Sequence, residues 1–184
     1  MLIYVLFLNL IRLISVLNTS FEPVDFVLFG TAGDLARRKL LPSLYELEKA
    51  NLMHAESKII GVARNESSLT EYQDMVKENI EKFTKEPICP ETWSRFCAKL
   101  EYLQVNMKES EDYKGFLSHV DDSRIMVCYF ATPPAIFGDI CRGLHSANII
   151  DETLRVVLEK PIGNDLETSK AINDEVAEYF NENQ

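Results

Sequence analysis

The sequence predicts an α/β fold: a doubly wound, mainly parallel sheet with helices on both faces. Three observations lead there. Short apolar runs recur at Asp25–Gly30, Lys58–Arg64, Arg124–Ala131 and Leu154–Glu159, and uninterrupted apolar runs suit strands buried on both faces. Amphipathic or charged helical stretches separate these runs, which favours parallel strands joined by right-handed crossovers. The 184 residues, 46% hydrophobic and 26% charged with only 7 Gly and 7 Pro, have the composition of a globular chain. That composition excludes collagen-like and low-complexity classes, and a chain of this size buries roughly 70% of its unfolded surface.

In order, D-F-V-L-F-G (Asp25 to Gly30) is the first strand, apolar, aromatic and ended by glycine. A helix follows with Leu40, Leu41, Leu44, Tyr45 and Leu47 on one face. Pro42 should restart or kink it, because proline lacks the N–H that an interior helical position needs. K-I-I-G-V-A-R (Lys58 to Arg64) is the second strand. Thr70 to Phe83 is a charged helix, Pro87-Ile88-Cys89-Pro90 a break, and Trp93 to Leu100 another helix. Leu100 to Val105 is a weaker third strand. R-I-M-V-C-Y-F-A (Arg124 to Ala131) is a clear fourth, stopped by Pro133-Pro134, with a helix over Ala135 to Ser146. Leu154 to Glu159 is the fifth strand and Leu166 to Phe180 a closing helix. No repeat or linker divides residues 24–184, which read as one domain.

Residues 1–23 read as an extension outside that fold. Met1 to Leu17 holds fourteen apolar residues broken only by Asn9, Arg12 and Ser15. The basic residue lies inside the run and no good cleavage site follows, unlike a signal peptide. An arginine near the middle is costly for a spanning helix. Translation from an upstream start fits; a membrane anchor or secretory signal is the other reading.

The net charge of −10 opposes binding to nucleic acid or an anionic membrane, although a small phosphorylated ligand needs only a local cluster of donors. Cys89, Cys97, Cys128 and Cys141 are irregularly spaced without C-x-x-C, as in a cytoplasmic protein with reduced thiols. His54, His119 and His145 form no metal-ligand pair, so no metal is expected.

The first strand–helix turn carries the chemistry. Gly30-Thr31-Ala32-Gly33-Asp34-Leu35-Ala36 is G-x-x-G-x-x-A, placed between a strand and a helix. Gly30 permits the tight turn, Gly33 lets a pyrophosphate approach the backbone, and Ala36 lets the helix sit close to the sheet. Free N–H groups and the positive helix end then face phosphates, with Arg37 and Arg38 nearby. It is not a Walker A loop. Arg64 ends the second strand, where an NAD enzyme places an acid and an NADP enzyme an arginine, so NADP is favoured. A solvated strand-end arginine is the plain alternative, and the spacing from the glycines exceeds the usual roughly 20 residues. Tyr129-Phe130-Ala131-Thr132-Pro133-Pro134 and Glu159-Lys160-Pro161-Ile162-Gly163 end two more strands on the ligand-binding side.

Together these segments resemble the coenzyme domain of the glucose-6-phosphate dehydrogenase family, close to its bacterial form. The resemblance runs from about Val27 to the C-terminus. It rests on F-G-T-A-G-D-L-A-R-R-K-L-L-P-S-L-Y, G-V-A-R, Y-F-A-T-P-P, V-V-L-E-K-P-I-G-N-D-L and I-N-D-E-V-A-E-Y-F. It implies a Rossmann-like domain in which Gly30, Thr31, Ala32, Gly33, Asp34, Leu35, Ala36 and Arg37 bind NADP and Arg64 takes the 2′-phosphate. It puts Tyr129 beside the cofactor, and Lys160 against both the nicotinamide end and the glucose 6-phosphate substrate. Asn106 stands where bacterial members tend to have Asp near the adenosine, and Ala32 where Ser or Lys is usual. The family's R-I-D-H-Y-L-G-K motif, its catalytic base, and the domain carrying most of its oligomer interface lie beyond Gln184. The resemblance therefore implies a fragment that binds NADP, has no catalytic residue of its own and turns over little substrate. A binding module that works through a separately encoded C-terminal half or another partner is the second reading. A short-chain dehydrogenase would need Tyr-x-x-x-Lys late in the fold, whereas the one match, Tyr45 to Lys49, lies in the first helix.

Overall fold

Strand β1 (Val24–Phe29) is the middle of a five-stranded sheet. On one side lie β2 (Lys58–Ala63) and β3 (Leu100–Gln104); on the other lie β4 (Ile125–Phe130) and β5 (Arg155–Leu158). The order is β3-β2-β1-β4-β5, with every neighbouring pair parallel. This computed structural model describes residues 22–121, 123–160, 162–163 and 165–184. Residues 1–21 of the expected extension lie outside the described residues.

Each strand feeds two cores because successive side chains point to opposite faces. In β1, Val27 and Phe29 enter one cluster and Phe26 and Leu28 the other, none more than 5% exposed. Ile60 and Val62 oppose Ile59 in β2, and Cys128 and Phe130 oppose Val127 and Tyr129 in β4. The Phe26–Leu28 face is covered by α1 (Leu41–Lys49), α2 (Leu69–Phe83) and α3 (Pro90–Cys97). The Val27–Phe29 face is covered by a 3₁₀ segment (Ser110–Ser118), α4 (Phe137–Ser146) and α5 (Leu166–Ala177). At about 1.5–3 kcal/mol for each large apolar side chain removed from water, these two layers supply the main drive to fold.

Local sequence explains several boundaries. Helical geometry begins at Asp34 but widens into a π turn over Ala36–Leu40, where the Leu41 N–H reaches back to the Ala36 carbonyl. Pro42 then enters the first turn of α1, so the expected kink takes the form of a π bulge that accommodates the missing N–H. Ser68 and Glu71 form a reciprocal capping box at α2. Helix α3 starts at Pro90, three residues before the expected Trp93, because proline fits a first helical turn. Gly61 is required by close approach: a Cβ there would lie 2.2 Å from the Tyr72 hydroxyl.

The 3₁₀ segment Ser110–Ser118 was not expected from the sequence. Its Tyr113 and Phe116 are fully buried, with ring centroids 6.4 and 6.0 Å from Phe29. At the opposite edge from the strand C-termini, buried Asp25 pairs with Arg124 at 3.1 Å and accepts the Asp121 N–H. This contact ties the start of β1 to the loop before β4.

Candidate functional site

Because all five strands are parallel, their C-terminal ends converge on one edge, and the chain changes direction between β1 and β4. Ligands of such sheets bind in the crevice at that switch point. Here it opens as a cleft of 690 Å³. Its walls include Gly30, Ala32 and Gly33 after β1, Arg64 and Asn65 after β2, Asn106 to Lys108 after β3, and Ala131 to Pro133 after β4. Among the described residues two cations, Arg64 and Lys108, and no carboxylate line it, in a chain whose net charge is −10.

The turn after β1 is held by its own backbone. Gly30 has φ +83°, and a Cβ there would sit 2.7 Å from the Ala131 carbonyl oxygen. Both the Gly30 and Thr31 N–H groups donate to the Val62 carbonyl, at 2.9 and 3.2 Å, and Gly33 N–H closes the turn onto Gly30 O at 2.8 Å. The loop is thereby fixed to the end of β2. N–H groups of the first helical turn after Gly33 have no carbonyl four residues back inside the helix, so they and the helix dipole favour an anion there.

The structure separates the expected site residues into groups. Gly30, Ala32, Gly33, Arg64 and Asn106 come together on the cleft wall. Thr31 turns inward: it is fully buried, with Oγ1 2.8 Å from the Tyr72 hydroxyl, and burial pushes that phenol well above its ordinary pKa. Its side chain is turned away from any ligand, and its N–H is spent on the Val62 carbonyl. Asp34 is exposed and pairs with Arg38 across one helical turn at 3.5 Å. Leu35 packs on the Phe26–Leu28 cluster, and Ala36 is fully buried beneath the helix. Arg37 is half-buried, and its Nε is a buried donor with no partner among the described residues.

Arg64 is exposed, and its carbonyl accepts a hydrogen bond from Gln104 Nε2. Its guanidinium makes no ion pair among the described residues. Asn106 is set by its own N–H, which donates to Asp112 Oδ2 at 2.9 Å. Tyr129 is only 3% exposed, with its ring 6.0 Å from Phe26, and its hydroxyl donates to Glu159. Burial pushes the Glu159 carboxyl above the usual carboxylate range. Tyr129 thus braces the ends of β4 and β5 from the core and does not line the cleft. Lys160 is exposed just beyond β5, also outside the cleft wall.

Several wall residues escaped sequence reasoning, Thr132 and Lys108 among them. Thr132 lies inside the Y-F-A-T-P-P segment but had no assigned role; its Oγ1 is buried at the cleft with no partner among the described residues. Lys108 follows β3, where no periodic pattern predicts which side chain faces the sheet edge. The Thr132 Oγ1, with the backbone-walled glycine turn and the cationic lining of Arg64 and Lys108, suits a phosphorylated dinucleotide. Among the described residues no group of three or more His, Cys, Asp or Glu could hold a metal, and no helix is long and apolar enough to cross a membrane.

A 3-2-1-4-5 parallel sheet with a glycine turn leading into a helix beside its switch point is the Rossmann-like architecture of nucleotide-binding α/β domains. Comparison with known proteins narrows the class. Residues 27–184 match the family model described as "Glucose-6-phosphate dehydrogenase, NAD binding domain". Glucose-6-phosphate 1-dehydrogenase of Dickeya dadantii is 45% identical over 168 residues, covering 91% of this chain and 34% of that protein. Its counterpart from Buchnera aphidicola of Baizongia pistaciae is 38% identical over 161 residues, covering 87% of this chain and 33% of that protein. A crystal structure of the Mycobacterium avium glucose-6-phosphate 1-dehydrogenase superposes with TM-score 0.80 at 28% identity, over 87% of this chain and 34% of that one. A glucose-6-phosphate dehydrogenase in complex with its substrate glucose-6-phosphate gives 0.74 at 28% identity, over 88% of this chain and 35% of that one. The chain belongs to the glucose-6-phosphate dehydrogenase family and corresponds to its N-terminal nucleotide-binding domain. It spans about a third of the length of the curated relatives it matches.

Proposed function

We propose that residues 24–184 form the NADP-binding domain of a glucose-6-phosphate dehydrogenase, which oxidises glucose 6-phosphate to 6-phosphogluconolactone in the cytoplasm. The observation that carries this reading is the cleft itself, which joins a glycine turn at the switch point to a β2 end that presents Arg64 and no acid. The backbone of the Ala32 to Ala36 turn, with Arg37 beside it, holds the pyrophosphate, Arg64 takes the ribose 2′-phosphate, and Asn106 borders the adenosine. Thr31 and Tyr129 act from below, one anchoring the phosphate loop to α2 and the other bracing Glu159. Lys160 reaches the nicotinamide end and the sugar phosphate from the tip of β5. When bound, the nicotinamide accepts the hydride. His54, His119 and His145 do not line the cleft, and no described residue is assigned the proton of the sugar's anomeric hydroxyl. Calorimetric titration of the full chain with NADP and with NAD tests the reading: tighter binding of NADP is expected, and no binding of either would refute it.

A further inference from the structure

We propose that Lys108 is a second cation for the 2′-phosphate of the adenosine ribose, working with Arg64 to select the phosphorylated dinucleotide over its unphosphorylated counterpart. This rests on the nucleotide-binding reading of the cleft and adds a specificity residue to it. Lys108 lies on the same wall as Arg64, because β3 pairs with β2 and the two strands end side by side.

The turn that carries Lys108 is pinned from several directions. Glu109 N–H donates to Asn106 O at 2.8 Å, Asn106 N–H donates to Asp112 Oδ2 at 2.9 Å, and the buried Tyr113 hydroxyl donates to Met107 O at 3.2 Å. The side chain is therefore exposed from a fixed base. Its ammonium makes no ion pair among the described residues. Of the acids that follow, Asp112 is engaged with the Asn106 N–H and Glu111 with Lys114, while the exposed Glu109 carboxylate beside Lys108 lies outside the cleft wall. Two unpaired cations on one carboxylate-free wall would gain a dianionic phosphate as a shared partner, and a charge-assisted contact of that kind is stronger than a neutral one.

Titrate the full chain, Lys108→Gln, Lys108→Arg and Arg64→Gln with NADP, NAD, adenosine 2′,5′-bisphosphate and 5′-AMP. Lys108→Gln should weaken NADP and the bisphosphate about three- to tenfold while leaving NAD and 5′-AMP within about twofold. Lys108→Arg should restore most of the loss, and the salt dependence of NADP binding should flatten in Lys108→Gln. An unchanged unfolding midpoint would show that the effect is not structural. Equal losses for phosphorylated and unphosphorylated ligands, or no loss, would overturn the assignment. If Arg64→Gln alone abolishes the preference, the nucleotide site stands and the Lys108 role falls. If the parent chain binds none of the four ligands, both fall.

Discussion

The contact between Thr31 and Tyr72 links the phosphate loop to α2, and its worth follows from burial. Both residues are at most 2% exposed, and their hydroxyls lie 2.8 Å apart. Removing one hydroxyl leaves the other buried without a partner, at a cost of about 1–3 kcal/mol, whereas removing both costs far less than twice that. Thr31→Val and Tyr72→Phe should each destabilise the chain by about 2 kcal/mol, a drop of about 4–8 °C in unfolding midpoint for a domain of this size. The double variant should fall little further, giving a coupling of about 2 kcal/mol. Urea unfolding of the parent, the two single variants and the double variant measures it. Because the Thr31 side chain faces away from the cleft, NADP affinity well below the midpoint should change less than about threefold. Strictly additive single effects would refute the buried hydroxyl pair.

Other consequences are as direct. Gly30→Ala places a methyl group 2.7 Å from Ala131 O at a φ of +83°; it should weaken dinucleotide binding at least about tenfold and lower stability by about 1–3 kcal/mol, read by calorimetry and unfolding. Burial pushes the Glu101 carboxyl up, but hydrogen bonds and attraction from Lys58 and His119 outweigh it and hold the group below its ordinary value of 4.5. A depressed carboxylate contributes stability above its unfolded pKa and loses it as pH falls through the folded one. Glu101→Gln should therefore flatten the decline in stability below about pH 4.5, with little change in slope near neutrality. Hydrogen bonds from the backbone and side chain of Thr92, and then from the Glu91 N–H, lower the Cys89 thiol, whereas burial pushes Cys141 up to about 12. A thiol reagent at neutral pH should label Cys89 first, a phase lost in Cys89→Ser, and reach Cys141 only on unfolding.

The strands were legible because V-L-F, I-I-G-V and M-V-C-Y-F each serve two cores and so carry no alternation to confuse with a helix. β3 is fainter because Glu101 and Gln104 sit on an edge strand that is only partly covered. The 3₁₀ segment escaped notice because its two buried aromatics, Tyr113 and Phe116, recur every three residues inside a run of polar ones. At the site, G-x-x-G-x-x-A and Arg64 could be placed as soon as the strand ends were known. The inward turns of Thr31 and Tyr129 could not, because a single residue of register decides which face a side chain takes. Thr132 and Lys108 required the three-dimensional meeting of loops from β4 and β3.

The most direct measurement is the ratio of NADP to NAD affinity in the parent chain and in Arg64→Ala, by calorimetry under one salt condition. The parent should favour NADP by at least about tenfold, and Arg64→Ala should lower that ratio about three- to tenfold, leaving the smaller preference that Lys108 supplies, with NAD affinity nearly unchanged. A parent that binds the two dinucleotides equally, or a preference that Arg64→Ala leaves undiminished, would contradict the placement of the 2′-phosphate at the end of β2.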